Sequence, residues 1–217
     1  MKALLDLFPA VQVAVIGDLM LDCYLYGDVS RISPEAPVPV MRAMSEKAVA
    51  GGAANVAANV ASLGPQVHLV GLCGDDEAHS QLVACLLRAG RVDCSRIVTT
   101  PTRRTTKKLR IIGAQQQIVR IDHEDVEPLD RTTEDSLIEA AISAIDAADV
   151  VVLSDYGKGV CSDLLMRVVF DHANRVGTQV LVDPKRKDLS AYRGASTLTP
   201  NRKELSEATQ LPCETDE

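Results

Sequence analysis

The stretch Ala50-Gly51-Gly52-Ala53-Ala54-Asn55-Val56-Ala57-Ala58-Asn59-Val60-Ala61-Ser62-Leu63-Gly64 sets two adjacent glycines before a run of small residues and places an asparagine one turn in. Residues 53 to 63 read as a helix kept thin by its alanines. Gly51-Gly52 open backbone angles closed to other residues, and the helix that follows directs its unpaired N–H groups at whatever sits there. Asn55 adds an amide suited to a hydroxyl. A thin helix can then bring its N-terminus down to the ligand crevice of a sheet. The plainer alternative, small residues serving only helix–sheet packing, explains the same pattern equally well. The segment is not GxGxxG, and no GxxxxGK[ST] occurs in the chain, so the common nucleotide cradles fail and a nicotinamide-dependent Rossmann enzyme is disfavoured.

On either side, apolar runs alternate with helical ones. Val11 to Ile16, Val67 to Leu72, Cys94 to Thr99, Val150 to Ser154, Val180 to Val182 and Thr197 to Thr199 read as strands. Asp76 to Leu87, Glu134 to Ala147 and Ser162 to Asn174 read as helices. The 217 residues are 46% hydrophobic and only 3% aromatic, so the core is built from Val, Leu, Ile and Ala, as in parallel sheets buried on both faces. The expected fold is α/β and doubly wound. Two extended stretches interrupt it. Ser33 to Val40 carries three prolines and reads as an extended edge segment, and residues 103 to 122 read as a hairpin about Gly113-Ala114. Paired, they form a small sheet over one edge.

Ligands of doubly wound sheets sit beyond the carboxyl ends of the strands, which points to Asp18, Asp22, Asp155, Lys158, Asp183, Lys185, Asn201 and Glu204. The net charge of −7 argues against nucleic acid and acidic membranes as partners. Six cysteines without zinc spacing read as reduced thiols of a cytoplasmic protein, and no apolar run is long enough to span a bilayer. Glu214 to Glu217 reads as a solvated acidic tail.

Spacing is more specific than composition. Ala50-Gly51-Gly52-Ala53-Ala54-Asn55, followed by Ala57, Gly64 and Gly74, resembles the N-terminal signature of the PfkB, or ribokinase-like, family of carbohydrate kinases. Residues 17 to 24 (GDLMLDCY), 30 to 40 (SRISPEAPVPV) and 153 to 159 (LSDYGKG) are similar to its heptose-7-phosphate kinase branch, and the resemblance runs from about residue 11 to 208. It implies a ribokinase-like core with a β-sheet lid from insertions at about 23–50 and 100–124. The implied activity is ATP-dependent phosphorylation of the anomeric hydroxyl of D-glycero-D-manno-heptose 7-phosphate, giving the 1,7-bisphosphate for ADP-heptose and lipopolysaccharide core synthesis, with Mg2+ alongside ATP.

Residue by residue, the resemblance assigns Gly51, Gly52, Asn55 and the carboxylate of Asp22 to sugar hydroxyls. Asp18 either assists Asp22 or caps a neighbouring loop. Lys108, Arg110 and Arg120 are implied as cations for the phosphate the sugar already carries, with a solvated hairpin face the alternative for each. Asp155 and Lys158 fall beside the sugar and the transferring phosphoryl group. Lys185 and the NxxE pair Asn201 and Glu204 fall to the nucleotide phosphates, Glu204 also to the metal; an ordinary helix start is the competing reading of Asn201. The family's glycine-rich GAGD segment, with its catalytic base, has no counterpart in these 217 residues. The expectation is therefore a partial kinase domain, inactive alone. Its implied partners are the kinase remainder, an adenylyltransferase domain and, through the lid, a second copy. A noncatalytic sugar-phosphate-binding fragment, or a module completed by a separate C-terminal partner, is the alternative.

Overall fold

The apolar runs become the strands of one parallel sheet in the computed structural model, which describes residues 6–113 and 116–213. Elements are numbered in chain order. The sheet holds β1 (Gln12–Gly17), β4 (Gln66–Gly74), β5 (Val92–Asp93), β6 (Ile97–Thr100), β9 (Val150–Ser154), β10 (Gln179–Asp183) and β11 (Thr197–Leu198). Their order is β11-β10-β9-β1-β4-β5, with β6 also paired to β4. Successive residues of β1 feed two cores. Val13 and Val15 pack with α1 (Ala53–Ser62) and α2 (Glu77–Ala89), whereas Ala14 and Ile16 pack with α3 (Arg131–Asp146) and α4 (Asp163–Val176). A strand buried on both faces needs no polar alternation, which is why these runs are continuously apolar. A fifth helix, α5 (Arg202–Thr209), follows β11. Chain direction across the sheet reverses between β1 and β9, opening a crevice beyond their carboxyl ends.

A second sheet rises from that crevice. It holds β2 (Leu19–Ile32), β3 (Pro39–Gly52), β7 (Lys107–Gly113) and β8 (Gln116–His123) in the order β3-β2-β7-β8. Strand β2 is separated from β1 by Asp18 alone and runs antiparallel to β3 and parallel to β7. The first insertion thus begins earlier than the sequence reading set it. The proline-rich stretch also differs from expectation: Ser33 to Val38 turn the β2–β3 hairpin, closed by the Ser33 amide on the Val38 carbonyl at 2.8 Å. Of the three prolines only Pro39 enters a strand, as first residue of the edge strand β3, where its missing N–H costs nothing. Ala114, in the expected β7–β8 turn, and the acidic tail lie outside the described residues. The strand expected over 94–99 begins only at Ile97, because Asp93, ending the short β5, accepts the Ser95 amide at 2.9 Å and turns the chain over 94–96. Helix α3 begins three residues before the expected Glu134, capped by Asp130 on the Thr133 amide.

At the opposite end of the sheet Asp93 is bonded by Arg96 (2.6 Å) and lies 3.4 Å from His68 Nδ1. Burial alone would raise its carboxyl, but Ser95, His68 and Arg96 together hold it at about 2. A depressed carboxyl stabilises the fold above its unfolded value and loses that contribution as pH falls through the folded one. Asp93→Asn should therefore be less stable than the unaltered chain by roughly 1 kcal/mol at pH 7, after allowance for solvent screening, and the two should converge between about pH 4 and 2. Denaturant titrations across that range measure it; a pH-independent difference would refute it.

Candidate functional site

The corner joining β3 to α1 is built by close approach. A Cβ on Gly17 would lie 2.1 Å from the Ser154 carbonyl oxygen and 3.2 Å from Ala53 Cβ. Gly52 turns the corner at φ 56°, and a Cβ there would lie 2.4 Å from the Asp18 carbonyl oxygen. That carbonyl accepts the first helical amide, Ala53 N, at 2.9 Å, so this N–H of the helix end is already occupied. Ala53, Ala54, Ala57 and Ala61 are buried, while Asn55 is exposed on the first turn. The thin helix is thus packed as the plainer reading required.

Gly51, the last residue but one of β3, lies beside Asp22 on β2. A Cβ at Gly51 would fall 2.3 Å from Asp22 Oδ2, so the missing side chain is what leaves room for the carboxylate. The register sets Val49, Asp22, Lys108 and Asp122 on one rung and Lys47, Tyr24, Arg110 and Arg120 on the next rung of the same face. Arg110 Nη1 donates to Asp22 Oδ1 at 2.5 Å and its guanidinium lies 5.2 Å from the Tyr24 ring centroid. Arg120 grips both oxygens of Asp122 (2.8 and 2.9 Å) and, with its hydrogen bonds as the main cause, depresses that carboxyl. Lys108 Nζ stands 3.4 Å from Asp122 and 3.6 Å from Glu124, whose other oxygen accepts from Lys158 Nζ at 2.8 Å. A chain of alternating charges, Arg120, Asp122, Lys108, Glu124 and Lys158, therefore ties the small sheet to the core loop after β9.

That loop rests on Asp18. The carboxylate is 1% exposed and accepts from the amides of Tyr156 (2.8 Å), Lys158 (3.1 Å) and Val160 (3.0 Å). Burial raises its pKa against the lowering effect of the three amides. Asp155, 3% exposed, accepts from the Gly157 amide at 2.7 Å and the Tyr192 hydroxyl at 2.7 Å, with Arg186 3.6 Å away. The sequence reading set Asp155 beside the sugar and left Asp18 between assisting Asp22 and capping a loop. Both are buried loop anchors with their oxygens already bonded, and for Asp18 the loop-capping alternative is the one found. Cys161 lies with them, its thiol raised well above the usual value by burial and then by the two carboxylates.

At the end of β10, Lys185 Nζ is 4.0 Å from Glu204. The NxxE pair forms a capping box on α5: Asn201 Oδ1 accepts the Glu204 amide and Glu204 Oε2 accepts the Asn201 amide, both at 3.0 Å. Asp183 is raised by burial and then by the neighbouring Glu204 charge. The structure thus groups Asp22, Gly51, Lys108, Arg110, Arg120 and Lys158 about the small sheet's lower face, and Lys185, Asn201 and Glu204 apart from them along the strand ends. Sequence reasoning missed Glu124, Arg103, Tyr192 and Arg186. Glu124 follows a strand as an ordinary acid, and the other three act through contacts between segments distant in the chain.

The described fold is that of ribokinase-like proteins. It matches the ribokinase of Arabidopsis thaliana complexed with ribose and ATP at a TM-score of 0.70 and 19% identity, covering 95% of this chain and 65% of that one. It also matches a putative phosphofructokinase from Staphylococcus aureus at a TM-score of 0.72 and 14% identity, covering 94% and 64%. Residues 11–217 match the pfkB family carbohydrate kinase model, and the chain belongs to that family. Among similar proteins are the bifunctional protein HldE of Azorhizobium caulinodans, 53% identical over 94% of this chain, and that of Gluconobacter oxydans, 47% identical over 98%. The chain spans 43% and 44% of the length of these two relatives. No helix among the described residues is long and apolar enough to cross a membrane.

Proposed function

We propose that this chain is the sugar-binding part of an ATP-dependent kinase that phosphorylates the anomeric hydroxyl of D-glycero-D-manno-heptose 7-phosphate, in the cytoplasm and toward ADP-heptose. The observation that carries the reading is a carboxylate, Asp22, seated over Gly51 and flanked on the same face by Lys108, Arg110 and Arg120. A carboxylate accepts from two adjacent hydroxyls, and an ammonium on its own rung with guanidinium groups on the next suits the sugar's existing phosphate. The small sheet acts as the lid over that sugar.

Lys158 stands where it can meet charge developing on the transferred group. ATP with Mg2+ supplies the phosphoryl donor and neutralises its charge when bound. Lys185, Asn201 and Glu204 would hold that end. The carboxyl of Asp183, raised by burial and then by the Glu204 charge, fits a place that takes a hard cation. The relatives' greater length supports a kinase remainder and an adenylyltransferase domain as partners. Val119 and Ile121, 45% and 40% exposed on the lid's other face, support pairing with a second copy.

Calorimetric titration of this chain with heptose 7-phosphate and with the unphosphorylated heptose tests the reading. The phosphorylated sugar should bind more tightly. Arg120→Met should weaken it about tenfold, roughly 1.4 kcal/mol, and leave the plain sugar unchanged. Equal affinities for the two sugars, or no binding of either, would overturn it.

A further inference from the structure

The loop carrying Lys158 is gripped from two opposed sides, and only one grip was visible in the sequence. Beneath it, Asp18 collects every second amide, those of Tyr156, Lys158 and Val160. Such convergence needs a backbone that alternates hand, which Gly157 and Gly159 provide at φ 66° and 97°. From the other side Arg103, in the segment between β6 and β7, donates through Nη2 to the Lys158 carbonyl at 3.1 Å and to the Asp125 carbonyl. Arg104 binds the Asp125 carboxylate through its amide (2.8 Å) and Nε (3.2 Å), so the entering and leaving stems of the lid are joined here.

Two details mark Arg103 as more than a surface cation. A Cβ on Gly159 would lie 3.4 Å from Arg103 Nη1, so the guanidinium lies against the loop's own backbone. Nη1 is also buried without a hydrogen-bond partner among the described residues. Desolvating part of a charged group is costly, and the carbonyl bonds of Nη2 are what offset that cost here. Arg110 and Lys108 meet side-chain carboxylates. Arg103 instead meets main-chain oxygens.

We propose that Arg103 is a positioning residue: by holding the Lys158 carbonyl against Asp18's hold on the Lys158 amide, it fixes where the Lys158 ammonium points. Glu124 then steadies that ammonium from the lid side. The functional meaning rests on the reading of Lys158 given above, whereas the grip on the loop does not.

The test uses Arg103→Met and Arg103→Lys in this chain, with amide hydrogen exchange over residues 155–161 and calorimetry with heptose 7-phosphate. Arg103→Met should speed exchange at Tyr156, Lys158 and Val160 at least tenfold while the β9 and α4 amides keep their rates. Arg103→Lys, which retains a cation and a donor, should recover part of the protection and covers the case in which the methionine variant fails to fold. For affinity, Arg103→Met should cost about fivefold in the unaltered background and less than twofold when Lys158→Met is already present, because the residue acts through Lys158. Unchanged loop exchange, or the same affinity loss in both backgrounds, would overturn the proposal. If the unaltered chain fails to bind heptose 7-phosphate, the functional reading falls, and the exchange rates alone decide the grip of Arg103 on the loop.

Discussion

Asp18→Ala is expected to lower the unfolding free energy by about 3–5 kcal/mol. The residue lies at the end of the central strand, 1% exposed, and its two oxygens take three main-chain amides of one loop. Alanine would leave those amides in a site closed to water, each costing about 1–3 kcal/mol unless the loop moves. Loop movement is itself a loss, because Asp155 and Lys158 are carried on it. Asp18→Asn should lose nearly as much, since one amide oxygen replaces two carboxylate oxygens and an NH2 would confront an N–H. Urea denaturation gives the value, and an unchanged m would show that the unfolded state is not responsible. A loss under about 1 kcal/mol would mean that the loop supports itself.

Asp22→Ala should leave stability almost intact and weaken heptose 7-phosphate binding about a hundredfold, on the scale of two hydrogen bonds to a charged acceptor. The carboxylate is partly exposed, so its removal opens no buried void. Gly51→Ala is the sharper experiment. Its backbone is not in the left-handed region, so alanine is tolerated by the main chain, but the new methyl would fall 2.3 Å from Asp22 Oδ2. The carboxylate must swing away, and Arg110 with it, so most of the Asp22→Ala loss should appear with every functional group still present. Full affinity in Gly51→Ala would place the sugar elsewhere. Crystals soaked with the sugar phosphate would then show where.

The core was legible because doubly buried strands leave a plain mark: unbroken Val, Leu and Ile runs with Gly or Asp at their carboxyl ends. The small sheet was legible only as an interruption. Its strands β2 and β3 carry Asp, Tyr, Ser, Arg, Lys and Glu among their apolar residues, and the outer end of β2 and the middle of β3 stand in solvent, so no clean alternation announces two paired strands of this length. Prolines 34, 37 and 39 were read together as extended, yet the first two turn the chain and only the third enters a strand. Within the site, Asp22, Gly51 and Lys108 were named through the family resemblance, and the fold sets Lys108 on the rung of Asp22 and Gly51 beside it. Asp18 and Asp155 could not be told from ligand-facing carboxylates, because position after a strand is the same for an anchor and a contact. The difference lies in amides and a tyrosine hydroxyl contributed by other parts of the chain.

The parallel pairing of β2 with β7 has a consequence for how the chain comes off the ribosome. Leu21 needs Lys107 as its neighbour, and at roughly 5–20 residues per second the later strand emerges on the order of ten seconds after the earlier one. For that interval the β2–β3 hairpin is out with one edge bare, next to Met20, Leu21 and Cys23, which end up buried. Newly made molecules in a crowded cell are therefore most exposed to sticking to one another just before the second insertion is translated, and slowing translation upstream of Lys107 should lower the yield of folded protein.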